Sequence, residues 1–196
     1  MMKRKPSDAS PQLFERPTMH GLNLHSSTGL LLAVAALLLF GPVYAQGAAN
    51  TMLDYSNARY GFSLRVPLDV FEPGETRNSE AGGLWVSRDR QARLVAAAQT
   101  NETKETLQSY RRFLMEQTYD QAAFDYTPMR DTWFVLSGTT KDGQLFYERV
   151  TFACEGRYIY GWQLVYPPAE KQRYDRIVEA VHRSYRVGQG PTGNCE

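Results

Sequence analysis

Residues 132–167 read TWFVLSGTTKDGQLFYERVTFACEGRYIYGWQLVYP. β-Branched and aromatic residues fill the stretch almost without a break, and two turn signals cut it into pieces of strand length. Asp142-Gly143 supplies the positive φ angles that a tight two-residue hairpin needs, and Glu155-Gly156 repeats the signal about one strand later. The stretch therefore predicts three consecutive antiparallel strands, around which the rest of the chain is arranged. It holds no nucleophile elbow, metal-ligand cluster or phosphate-cradling glycine loop, and neither does the rest of the sequence.

The turns also predict a register. With Asp142 and Gly143 as the central turn residues, Ser137 faces Glu148, Val135 faces Val150 and Trp133 faces Phe152. Centring the second turn on Glu155-Gly156 pairs Phe152 with Ile159, Val150 with Gly161 and Glu148 with Gln163. One face is then apolar except for a single polar row, Ser137, Glu148 and Gln163. The other carries Leu136, Tyr147, Arg149, Tyr158, Tyr160, Trp162, Leu164 and Tyr166. A sheet with one wet face would alternate with polar residues, and this one does not, so both faces require a covering layer.

Towards the N-terminus the composition changes. Lys3, Arg4, Lys5 and Arg16 precede an uncharged run at 29–40, GLLLAVAALLLF, followed by small and modest side chains up to Ala45. This predicts a secretory signal peptide, 1–45, cut before Gln46; the run is shorter than the roughly 20 residues of a bilayer span. The true start is either Met1 or Met19, and membrane association would come only through an uncleaved leader. The mature chain is expected in the periplasm or outside the cell. Removing the leader takes four basic and two acidic residues, so a formal charge of +1 becomes −1. Near-neutral charge gives no basic stripe for nucleic acid, and Arg111-Arg112 and Arg183/Arg186 read as solvated helix faces.

The mature part predicts a flexible start at 46–56, one α+β domain over 57–187 and a tail at 188–196. Tyr60, Phe62, Leu64 and Val66 alternate on a half-buried strand ended by Pro67. A turn-rich loop spans 69–83, of which 73–83 is expected to be the most mobile internal segment because its glycines and charges leave little to bury. Strands are predicted at 84–88 and 92–99. Leu107, Tyr110, Phe113 and Leu114 recur at helical spacing over 103–118, capped by Thr103. A short strand near 124–128 leads into the meander. After Tyr166-Pro167-Pro168 a last helix carries the stripe Tyr174, Ile177, Val178, Val181 and Tyr185.

The opening YGFSLRVP at 60–67, the antiparallel meander, and the closing residues Tyr166-Pro167, Tyr174 to Val178 and Ser184 to Arg186 resemble the PsbP/Mog1/DcrB-like family over most of 60–186. Phe71 stands where that family usually places a Trp. The resemblance implies an α/β/α sandwich around a central antiparallel sheet and mostly non-enzymatic roles, with no active-site residues to carry over.

The candidate chemistry is thin. His182 is the one histidine left after cleavage and would need partners from elsewhere; one His and two distant Cys make a poor zinc site. Without a histidine base nearby, Ser137 beside Glu148 stays un-nucleophilic, so the polar row reads as a hydrogen-bonded strip or the floor of a small pocket. Arg149 beside Trp162 suggests a cation–π stack. No cofactor or metal is implied. The reading is a non-catalytic envelope or secreted factor that binds a partner protein through Tyr158, Tyr160, Trp162 and Arg149, with Ser137, Glu148 and Gln163 as further candidates. The alternative is a carrier for a small apolar or aromatic ligand, and an enzyme of unknown class comes third. Cys154 and Cys195, the two cysteines of the chain, would meet the oxidising envelope together and are expected to form a disulfide stapling the tail.

Overall fold

The computed structural model describes residues 52–74 and 80–195. The predicted leader, residues 46–51 of the predicted tether and residues 75–79 of the segment expected to move most lie outside the described residues. Strands β1 (Met52–Ser56) and β2 (Ser63–Pro67) form an antiparallel ribbon of their own. The remaining strands are β3 (Phe71–Pro73), β4 (Gly82–Ser87), β5 (Arg93–Thr100), β6 (Ala123–Tyr126), β7 (Trp133–Thr139), β8 (Leu145–Ala153) and β9 (Tyr158–Tyr166). They build one antiparallel sheet in the order β3-β4-β5-β9-β8-β7-β6. The meander forms one half of it, and β9 joins it to β5.

Each face is covered, as the patterning requires. Helix α1 (Leu107–Phe113) and the π-helical turn that continues it (Leu114–Thr118) pack Leu107, Tyr110 and Leu114 on Phe134, Leu136, Phe146 and Val150. On the other face, helix α2 (Lys171–Ser184) buries Tyr174, Ile177 and Val181, and the ribbon buries Leu64 and Val66, over Leu94, Tyr160, Trp162 and Leu164. The result is an α/β/α sandwich with a central antiparallel sheet. No helix among the described residues is long and apolar enough to cross a membrane.

Four local expectations are corrected. Residues 52–56 are a strand and not part of a loose tether, because Leu53 and Tyr55 pack against the core beside Trp85 and Phe62. Phe71, inside the predicted loop 69–83, is buried and anchors the short edge strand β3. Helix α1 begins at Leu107 with Thr106 as its cap: Thr106 Oγ1 accepts from the Ser109 amide at 3.0 Å, and Ser109 Oγ accepts from the Thr106 amide at 2.9 Å. Thr103 cannot cap it, since Lys104 has a φ of 53° and turns the chain first.

The fourth correction is the β7–β8 register. Thr140 faces Gln144, the Gly143 amide donates to Thr140 O at 2.9 Å, and Gly143 has a φ of 79°. This is a three-residue loop, a type I turn closed by glycine in the left-handed region, and not a two-residue turn on Asp142-Gly143. The frame moves by one residue, so Leu136 and not Ser137 lies opposite Glu148, and Ser137 lies opposite Tyr147. The second turn has positive φ at Cys154 and Glu155 (55° and 57°) and keeps the predicted frame, with Glu148 opposite Gln163 and Phe152 opposite Ile159.

Candidate functional site

The polar row survives as a pair, Glu148 and Gln163, beneath α1 and its π turn. In that turn the Tyr119 amide donates to Leu114 O, five residues back, at 2.8 Å, and the extra residue per turn brings Tyr119 over the sheet. The Tyr119 hydroxyl donates to Glu148 Oε2 at 2.5 Å and accepts from Gln163 Nε2 at 2.6 Å, while its ring stacks on Phe146 at 4.0 Å. Glu148 is 0% exposed. Burial pushes its carboxyl up to about 8, more than the hydrogen bond from Tyr119 lowers it, so at neutral pH it is held mostly as the acid. Burial and the adjacent Glu148 also hold the Tyr119 phenol well above its ordinary range. Among the described residues Glu148 Oε1, Gln163 Oε1 and the Tyr110 hydroxyl have no hydrogen-bond partner. Ser137, on the opposite face, takes no part.

The aromatic face is core. Tyr158, Tyr160 and Trp162 are all buried, Trp162 at 0% exposure. Tyr60 meets Tyr158 and Tyr160 edge-on, Phe62 meets Tyr160, and Tyr147 stacks on Trp162 at 5.0 Å. The ribbon, which the sequence did not reveal, is what closes these rings off. Tyr160 also spends its hydroxyl internally, donating to Tyr60 O at 3.1 Å and accepting from the Gly190 amide at 2.8 Å. Arg149 does make a cation–π contact, with Trp133 at 4.3 Å and not with Trp162. His182 is exposed, with Nδ1 3.4 Å from the Tyr147 hydroxyl.

Cys154 and Cys195 are joined, with sulfurs 2.02 Å apart. The bridge pins the tail to the turn between β8 and β9, and the tail lies close on the core: a Cβ at Gly188 would meet Tyr60 O at 1.9 Å, and one at Gly190 the Tyr158 ring at 2.4 Å.

An accessible concave surface lies elsewhere, between α1 with its π turn and the edge strand β6. Gln108, Arg111, Arg112, Met115, Glu116, Phe124 and Met129 line a groove of about 490 Å³. Met115, Phe124 and Met129 supply an apolar floor; Arg111 and Arg112 supply positive charge, and Arg111 Nε is buried without a partner. Met129, which lines it, is 39% exposed and is one of the three large hydrophobic side chains that stand out into solvent among the described residues. Strand β6 is short and carries a bulge between Phe124 and Tyr126, which limits pairing of a further strand and leaves side chains to make contacts. Reading Arg111-Arg112 as a solvated helix face missed this groove. The available signal was the pair of apolar residues Phe124 and Met129 in a stretch too short to bury them.

No three His, Cys, Asp or Glu side chains converge to hold a metal among the described residues. No family model matches the sequence, and no curated protein matches it. Solved structures do. The solution structure of cyanobacterial PsbP (CyanoP) from Synechocystis sp. PCC 6803 superposes with a TM-score of 0.53 at 15% identity, covering 75% of this chain and 99% of that one. The Saccharomyces cerevisiae Ran-binding protein Mog1p gives a TM-score of 0.46 at 11% identity, over 71% and 96% of the two chains. A structure from Bacteroides thetaiotaomicron gives 0.40 at 15% identity, over 69% and 47%.

Proposed function

From this PsbP/Mog1-like fold, we propose that the chain is a non-catalytic partner-binding protein of the periplasm or the extracellular space, and that it engages a partner protein through the groove between α1 and β6. The groove carries the reading. It combines adaptable methionines, among them the exposed Met129, with the Phe124 ring and two arginines, the composition enriched at protein interfaces. Its charge suits a segment carrying an acidic residue next to an apolar one. The Cys154–Cys195 bridge supports the compartment, since cytosolic reductants would keep the thiols open.

Native mass spectrometry of the protein purified from the periplasmic or secreted fraction of its own cells tests the reading. The expected result is a complex with a second protein that is lost in R111E/R112E. A bound small mass in place of a protein would favour the carrier alternative, and a complex unaffected by R111E/R112E would remove the groove from the account.

A further inference from the structure

On the α2 side of the sheet, Arg149 of β8 lies opposite Val135 on β7 and Trp162 on β9 and is partly exposed. Its guanidinium lies over the Trp133 ring at 4.3 Å, and among the described residues it has neither an ion pair nor a hydrogen bond. The acids of the neighbouring helix are engaged with its own cations: Glu170 with Arg173 at 2.6 Å, Asp175 with Lys171 at 2.6 Å and Glu179 with Arg183 at 3.3 Å. So the stacked cation has aromatic company and no carboxylate. Two residues along β8, Tyr147 is fixed by its stack on Trp162, and its hydroxyl meets His182 Nδ1. Tyr126, opposite Ser137 on the edge strand, adds an exposed ring on the same side.

We propose that Arg149, held over Trp133 and within electrostatic reach of Tyr147 and His182, forms a binding site for a single carboxylate carried on an apolar or aromatic body. A guanidinium stacked on an indole keeps its N–H edges pointing sideways, in the planar fork that matches a carboxylate with two parallel hydrogen bonds. The stack also fixes the side chain in advance, which lowers the entropy lost on binding. The charge count selects the ligand class. Burial, and then the nearby Arg149, lower His182, so near neutral pH it is uncharged and the site offers one positive charge. That suits a monoanion; a phosphate dianion calls for a cluster of cations. Trp133 and Tyr126 can line the apolar part of the ligand. The site is separate from the groove between α1 and β6, lies on the other face of the sheet, and does not depend on that groove's role.

The test is an NMR titration of the intact, disulfide-bonded protein, following the Arg149 Nε–H and Trp133 indole N–H signals. The probes are sodium benzoate, a pentapeptide with a free C-terminal carboxylate, the same peptide as its amide, and sodium sulfate. Saturable shifts at these two signals with benzoate, the free-acid peptide or both are expected. Binding of benzoate alone assigns the source to a small acid, and binding of the peptide acid assigns it to a chain terminus. R149K, which keeps the charge without the planar fork, should weaken binding by about tenfold, equivalent to one lost hydrogen bond. R149Q should abolish it while leaving the signals of α1 unchanged. Failure of both carboxylates to bind, an amide or sulfate that binds as well as they do, or an R149Q variant that binds like the parent would overturn the proposal.

Discussion

Glu148→Gln separates the cost of a buried carboxyl from everything else in the fold. In the unfolded chain this group releases its proton near 4.5, whereas in the folded protein burial pushes it up to about 8. Between those values the folded state holds more protons than the unfolded state, so the contribution of Glu148 is fully present below pH 4.5 and declines as pH rises towards 8. Integrated from pH 4 to pH 7, that window corresponds to about 3 kcal/mol, a large share of the 5–15 kcal/mol that typically holds a domain together. A glutamine at 148 is neutral throughout and can still accept from the Tyr119 hydroxyl. Urea unfolding of both proteins with the disulfide intact, repeated from pH 4 to pH 8, gives the stability difference directly. The difference should shift in favour of E148Q by about 3 kcal/mol between pH 4 and pH 7 and level off above pH 8. Comparing the variant with its parent cancels the opposite trends of Asp89 and His182, both of which are lowered. A difference that stays flat across this range would show that Glu148 is not held in the apolar layer beneath α1 and would refute the reasoning.

Two further changes test the frame around the sites. Replacing both Cys154 and Cys195 by Ala opens a loop of 41 residues, and loop-closure entropy puts the loss at up to about 4 kcal/mol; calorimetry should show a lower Tm, and the Gly190 amide should exchange faster once the tail no longer holds it on Tyr160. Thr106→Ala should cost about 1 kcal/mol by removing the helix cap while Thr103→Ala should be nearly neutral, so equal losses in denaturant would contradict the capping assigned to Thr106.

The layered fold was legible in the sequence because both faces of the meander are apolar, and only a sandwich satisfies that. The same property hid the register of β7. Trp133, Val135 and Ser137 on one face and Phe134, Leu136 and Gly138 on the other are nearly as apolar as each other, so no mismatch exposed the one-residue shift. Asp-Gly fits two geometries, the centre of a two-residue turn or the end of a type I turn with glycine left-handed, and the chain uses the second. Between β8 and β9 the closing geometry kept the predicted frame, which is why Glu148 and Gln163 were placed side by side correctly.

The candidate site was less legible. A sheet face rich in Tyr and Trp reads the same whether it is destined for a partner or for the core, and what decided between them was the ribbon formed by residues 52–56 with β2. That segment, MLDYS, offers too short an apolar signal to be recognised alone. Tyr119, which organises the buried pair, sits after a π turn, and the additional residue in that turn breaks the 3.6-residue spacing through which a helical partner would be found.

The central claim, that a partner protein occupies the groove between α1 and β6, is tested most directly by photo-crosslinking in the native compartment. A photoreactive phenylalanine analogue placed at Met129 stands at the groove, and one placed at Glu72 stands on β3, the opposite edge of the same sheet. The account predicts one discrete protein adduct from position 129, its loss when R111E/R112E is added, and none from position 72. No adduct from 129, or adducts of equal yield from both edges, would contradict it.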